Sequence, residues 1–313
     1  MNPFRFLDAR FFSPAPAERL ATVRVLTGAF ALVYLLARGN VLSDFRHAPG
    51  MFEPVGIAAW LHAPLPPPLV FVLYVLCVLT GVAFTLGIRF RASGPLFALL
   101  ALWVTSYRNS FGMIFHTENL LVLHLCVLGV SDAGAALSRE VREQPAPSAR
   151  FGWPLWLISA VSVLAYVLAG IAKLKVTGVT WVDGDVLRNY VAYDAMRKAE
   201  IGSIHSPFGA WLVQFAWPFP LLSVMTMLLE LLGPLAMLHP KTKLVWVLGL
   251  WGFHVGVFAS MAIAFPYPLT GIAFASMFEC EKLWGISWLA PIRRFLCGAP
   301  LATPQARSKL GES

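Results

Sequence analysis

The chain has 313 residues, of which 58% are hydrophobic and only 13% charged; a soluble domain carries about 25% charged residues, so this is the composition of an integral membrane protein. The net charge of +8 is dispersed over short segments between apolar runs, which excludes a nucleic-acid-binding patch and leaves the basic residues as topology signals. Cys77, Cys126, Cys280 and Cys297 show no metal-ligand spacing, so they read as small hydrophobes and no metal site is expected.

Residues 1–19 are polar and lack the apolar core of a cleavable signal peptide. They read as a cytoplasmic segment, and the first span serves as the insertion signal. A spanning helix needs about 20 mostly apolar residues. On that measure residues 20–290 hold eight candidates, at about Leu20–Ala37, Leu69–Ile88, Ser93–Ser110, Phe111–Val130, Trp153–Lys173, Phe219–Leu238, Leu244–Ala262 and Pro268–Leu289. The fourth is interrupted by His116-Thr117-Glu118-Asn119. The eighth is the weakest, because Glu279, Glu281 and Lys282 fall inside it. Residues 291–313 are read as a cytoplasmic tail, small and polar from Gly298 onward and expected to be disordered. The expected fold class is therefore all-α, a polytopic transmembrane bundle of about eight spans in a cell inner membrane.

Lysine and arginine decide the sides. With the N-terminus in the cytoplasm, 14 of them face inward and 8 outward; every cytoplasmic connection carries at least two, and the loop before the eighth span, Ile263 to Tyr267, carries none. Both termini are then cytoplasmic. The two long connections, Arg38 to Pro68 and Lys175 to about Trp217, both fall outside. The first contains Pro64-Leu65-Pro66-Pro67-Pro68, which cannot be helical through its middle. The second has a helix-friendly piece, Gly184 to Ala199, and Trp181, Trp211 and Trp217 suit an interfacial belt. A functional site, if present, faces outward.

Ionisable groups inside spans raise a functional hypothesis by default. Glu230 and His254 lie about mid-span in neighbouring antiparallel spans, so a contact between them is plausible. It is either a packing hydrogen bond or a proton-handling or ligand-contacting pair. His116, Glu118 and Asn119 open the fourth span, where Glu118 suits the helix dipole and His116 and Asn119 either cap or face a cavity. His124 lies two turns below His116, on or near the same face. Arg24 and Arg108 read as snorkelling side chains. Lys173 ends the fifth span, where a cation suits the C-terminal dipole. Small neighbours, Ala169, Gly170 and Ala172, allow close approach there, and Trp181 with the Asp183-Gly184 turn brings the chain back over the lysine. It is either an anchor or, desolvated in an apolar mouth, a general base.

The segment Tyr166 and Ala169-Gly170-Ile171-Ala172-Lys173-Leu174, with Trp181-Val182-Asp183-Gly184 after it, resembles the membrane domain of vitamin K-dependent gamma-carboxylases. It equally resembles the wider bacterial HTTM (horizontally transferred transmembrane) family. Phe253-His254 followed by Phe265-Pro266-Tyr267 is similar to a late-span pattern of the carboxylases. Leu86-Gly87-Ile88-Arg89 and Glu230-Leu231 are weaker echoes. The resemblance covers roughly Leu20 to Lys282. It implies that Lys173 deprotonates a vitamin K-like hydroquinone, whose oxygenation makes the strong base of a carboxylating lyase. It further implies that His116 or Asn119 supports the reaction, and that His254, with Glu230 and Trp181, lines the cofactor cavity. Three features depart from the carboxylases, one being a longer linker from Lys175 to Trp181. Ala172-Lys173 stands where paired lysines are frequent, and the chain runs only about 24 residues past Leu289, without the large lumenal region that helps bind the protein substrate. Carboxylation of protein glutamates is not expected. A redox reaction on a quinone or isoprenoid lipid is the leading expectation, with the bilayer and such a lipid as partners. A non-catalytic lipid-binding or assembly protein is the first alternative and a small-solute transporter the second.

Overall fold

The computed structural model describes residues 8–43, 49–112, 114, 116–141, 143 and 145–298. The expected disorder from residue 299 to the end, and the first seven residues of the cytoplasmic segment, lie outside the described residues. The described chain is all-helical, with two isolated bridges, Ala15 with Ser148 and Phe52 with Phe111. The longer helices are α1 (Ala17–Ala37), α2 (Pro67–Leu86), α3 (Phe90–Asn109), α4 (Asn119–Gly129), α5 (Ala149–Thr177), α6 (Asp185–Glu200), α7 (Pro207–Leu212), α8 (Pro218–Leu231), α9 (Pro240–Met261) and α10 (Ala290–Leu296). Among the described residues, four elements are long and apolar enough to cross a membrane: α1, α2, α5 with the turn that follows it, and α9. Two more, α4 and α8, are apolar but shorter.

The chain forms two compact units, one of residues 1–158 with 278–313 and one of residues 159–277, the division falling within α5. In the first unit, α2 stops at Gly87, whose φ of 71° suits glycine, and α3 follows almost at once. The outer connection folds down on these helices. Ala58, Leu61 and Val70 pack with Tyr107, joined by Phe52, Leu65, Trp103 and Phe111. Arg24 does not snorkel: it is fully buried. Its Nη1 donates to Ala133 O at 2.8 Å and Ala136 O at 3.2 Å, and its Nη2 donates to Leu137 O at 2.6 Å. Those carbonyls belong to one short stretch between α4 and α5, in which Leu137 has a φ of 46°. Glu118 accepts the Tyr34 hydroxyl at 2.5 Å rather than only answering the dipole of α4.

The eighth expected span is not one helix. Pro266–Leu269, Ile272–Met277, Cys280–Gly285 and Ser287–Leu289 are separate turns. The charges that weakened it in sequence have a structural use. Arg19 at the start of α1 donates to Glu281 at 2.6 Å and to Glu279 at 3.3 Å. Trp284 Nε1 donates to Thr22 Oγ1 at 2.7 Å, and Arg293 pairs with Glu18 at 2.8 Å. Residues 279–293 thus close the first unit over the beginning of α1.

In the second unit, α6 forms where a helix-friendly piece was expected, and with α7 it is stitched to the end of α9. Lys198 Nζ and Ser206 Oγ donate to the carbonyls of Met261 and Ala259, each at 2.5 Å. A helix's last carbonyls have no partner in their own helix and carry its negative dipole end, so they favour such donors. Ser206 also caps α7 by accepting from Gly209 N at 3.0 Å. Gly209 itself sits so close to the Ser260 carbonyl that a Cβ would overlap it.

Candidate functional site

The site is built on one face of α5. Tyr166, Gly170, Lys173 and Thr177 are spaced by four, three and four residues, so they align along the helix. Gly170 lets α8 come close: a Cβ there would lie 2.9 Å from Leu231 Cδ2 and 3.1 Å from Glu230 Cβ. One turn further on, Lys173 Nζ donates to Glu230 Oε1 at 2.5 Å. Glu230 is almost wholly buried, its side chain 4% exposed, and that of Lys173 is 22% exposed. The ammonium also lies 4.9 Å from the Trp181 ring centre and 5.8 Å from that of Phe253. Ring faces attract a cation by their quadrupole, so one carboxylate and two aromatics enclose the charge.

Trp181 is placed by the turn that follows α5. Gly184 ends this turn with a φ of 87°, a left-handed conformation at which side chains are strained. A Cβ on Gly184 would also meet Pro220 N, and Phe219 C at 2.5 Å. Glycine is therefore required twice, for its φ and for contact with the backbone at the start of α8. The chain does return over the lysine, as Trp181 and the Asp183-Gly184 turn suggested.

Glu230 and His254, expected to meet each other, bond to α5 instead. His254 Nε2 shares a 2.7 Å hydrogen bond with the Tyr166 hydroxyl, and both residues are buried. The Tyr166 ring packs edge-on against Trp246, and His254 packs against Phe265 at 5.2 Å. Tyr166 was given no role in the sequence reading. Its signal was the spacing of seven residues to Lys173, two turns along one face. Three polar atoms of this cluster, Glu230 Oε2, His254 Nδ1 and Trp181 Nε1, are buried with no hydrogen-bond partner. If the tyrosine donates to Nε2, Nδ1 carries the proton, and the three amount to two donors and one acceptor.

The helix carrying Glu230 breaks just after it. α8 ends at Leu231, and a 3-10 turn, Gly233–Met237, follows with Pro234 near its start. Two carbonyls near the break are taken by α9: Trp246 Nε1 donates to Leu229 O at 2.8 Å and Thr242 Oγ1 to Leu235 O at 2.7 Å. Beside the break lies a cavity of about 960 Å³ between α6, α7, α8 and α9, lined almost wholly by apolar side chains. Phe253 belongs to its wall, and Lys173 does not line it.

The other expected site residues belong to the first unit. Asn119 starts α4 with its side chain exposed, and the side chain of His116 lies outside the described residues. His124 is buried. Among the described residues no group of three or more His, Cys, Asp or Glu is placed to hold a metal ion.

Comparison with curated proteins and with solved structures gives no match. The model of the HTTM domain, in contrast, matches residues 12–284, nearly the whole membrane region built of these apolar helices, and the chain therefore belongs to the HTTM domain family.

Proposed function

We propose that this membrane protein binds a quinone or isoprenoid lipid at the Lys173–Glu230 cluster and takes a proton from the hydroxyl of its reduced form, on the outward side of an inner membrane. The observation that carries this reading is the cluster itself: a buried ion pair, a tyrosine–histidine pair and three buried polar atoms without partners, all around one face of α5. Ionisable groups are expensive within a membrane, and buried polar groups are ordinarily bonded. A ring with an oxygen at each end, able both to donate and to accept, suits two open donors and one open acceptor. The family resemblance gives the base to the lysine alone. The geometry favours the pair: Lys173 is held by its counter-ion, and Glu230 Oε2 is the open proton acceptor. The bound quinol would supply the redox chemistry. The residues of this chain would hold its head and accept its proton.

The test uses the purified full chain in lipid nanodiscs, titrated with a naphthoquinone and a benzoquinone while tryptophan fluorescence is followed. Quenching that saturates and weakens at least tenfold in Lys173→Ala is the expected result. No quenching with either quinone, together with no quinone in the lipid extract of the protein, would sink the reading. A second reading, a lipid-binding or assembly protein without chemistry, draws on the same ion pair, which leaves the lysine already partnered. It is favoured if Lys173→Ala weakens binding while no quinol-dependent turnover exists in the wild type.

A further inference from the structure

We propose that the first unit carries a second site, a seat for a phosphoethanolamine group formed by Tyr34, Arg38, Arg108 and Glu118, in which the arginines take the phosphate and Glu118 takes the ammonium. The site lies wholly within the first unit and does not depend on the quinone reading of the Lys173 cluster.

The four side chains come from the end of α1, the end of α3 and the residue before α4. Tyr34 is their centre. Its hydroxyl donates to Glu118 Oε1 at 2.5 Å, and the Arg38 guanidinium lies 5.7 Å from the centre of its ring, within cation–π reach. Arg38 and Arg108 both act electrostatically on the Tyr34 hydroxyl, and Glu118 and Arg38 act on Arg108. Two cations and one anion thus share one small volume.

Glu118 does not pair with either cation. It is 2% exposed, yet among the described residues Tyr34 is the one partner of its carboxylate, and Oε2 is buried with none. Arg38 makes no side-chain hydrogen bond or ion pair among the described residues, and its Nε is buried as well. Arg108, which also bonds Asn109 Oδ1 at 3.5 Å, adds its charge. A buried carboxylate without a cation is costly. Opposite charges near enough to attract, with bonding atoms left over on both sides, leave a gap for a group that carries both signs.

A phosphoethanolamine carries both. A guanidinium offers a planar fork of N–H donors that matches a phosphate, and a primary ammonium has N–H donors for Glu118 Oε2. Arg38 follows directly on α1, a helix of 21 residues that is long and apolar enough to cross a membrane, so its guanidinium stands at headgroup level. Arg38 and Arg108 are half-buried and Glu118 is buried. The arginines are therefore the rim of the site and the carboxylate its floor. That order matches phosphatidylethanolamine, whose ammonium is terminal and whose phosphate continues to the glycerol and the tails.

The test uses the full chain, delipidated in detergent. Binding of phosphatidylethanolamine, phosphatidylcholine, phosphatidylglycerol and soluble O-phosphoethanolamine is measured by native mass spectrometry. Phosphatidylcholine keeps the phosphate but has no N–H to give Glu118, and phosphatidylglycerol keeps the phosphate but lacks the cation. The expected result is that the ethanolamine lipid binds at least tenfold tighter than either. Arg38→Gln should lower that affinity at least tenfold. Glu118→Gln keeps an acceptor for Tyr34 and removes the charge, so it should erase the preference over phosphatidylglycerol. Equal affinity of the wild type for the three lipids overturns the proposal without recourse to a variant that could misfold. So does an ethanolamine-lipid affinity unchanged in Arg38→Gln. Tighter binding of phosphatidylglycerol than of the ethanolamine lipid overturns the assignment of an ammonium to Glu118. A lipid seat binds phosphatidylethanolamine at least tenfold tighter than O-phosphoethanolamine, whereas equal affinity for the two gives the same seat to a free solute.

Discussion

Arg24 in the first unit and Lys173 in the second are both cations on long apolar helices, and by position alone both pass for side chains reaching toward water. The structure separates them by their partners. Arg24 is fully buried and donates to three backbone carbonyls of one turn, so its charge holds the fold. Lys173 pairs with a carboxylate whose second oxygen has no partner, against two rings, one of which walls a cavity. Both charges are enclosed, and Arg24 Nε is also buried without a partner; what sets the lysine apart is a carboxylate partner with an open oxygen and a ring that walls a cavity. A buried charge marks a site when its partners leave capacity over.

Removing Arg24 should have the largest effect. Arg24→Ala leaves three buried carbonyls without donors, each costing about 1–3 kcal/mol, a total on the order of 5 kcal/mol. Thermal unfolding of the purified protein should show the loss, or the variant should fail to accumulate in the membrane. A melting curve close to that of the wild type would mean that arginine is not what holds the 133–137 turn.

The Lys173–Glu230 pair comes next and sharpens the contrast. Removing one partner of a buried pair costs about 3–5 kcal/mol, while replacing both by apolar groups is often neutral. Lys173→Met and Glu230→Leu should each destabilise, and the double variant should recover most of the loss. A structural pair would recover quinone binding along with stability. A ligand site recovers stability alone, and that split is the expected outcome. Gly184→Ala is smaller, about 1–3 kcal/mol for the forced left-handed conformation. Because the Cβ would also press on the start of α8, Trp181 should shift off the lysine, visible as a change in tryptophan emission. An unchanged spectrum would show that the turn does not set the position of Trp181.

Sequence made the apolar helices legible, and also the motif residues near Lys173, because hydropathy and small-residue spacing are local. Gly170 and Gly184 are the clearest cases: both were visible as small residues or turn formers, and both prove to be places where α8 comes close. What sequence did not carry was pairing across helices. Glu230 and His254 sit at similar depths in neighbouring spans, which made a mutual contact plausible. Yet each faces α5, because rotation of a helix about its axis is set by packing rather than by depth. The eighth candidate span misled for a related reason. Its apolar content matched a helix, but Glu279 and Glu281 answer to Arg19, some 260 residues earlier in the chain, and that partner leaves no trace in a hydropathy window.

Tyr166→Phe should give the smallest stability change and the cleanest reading of the second pair. The ring is kept, with its contacts to Trp246 and Phe274, so packing is conserved and only the hydroxyl leaves. A single hydrogen bond contributes about 0.5–1.5 kcal/mol net, and a shift in melting temperature of that order is expected. If the Tyr166–His254 bond only joins α5 to α9, quinone affinity stays at the wild-type value. If the bond fixes which imidazole nitrogen carries the proton, its loss frees His254 to present either nitrogen. Affinity for the quinone should then fall severalfold in Tyr166→Phe, with Lys173 and Glu230 intact. That drop would extend the site from the ion pair to His254, whereas unchanged affinity would confine it to Lys173, Glu230 and Trp181.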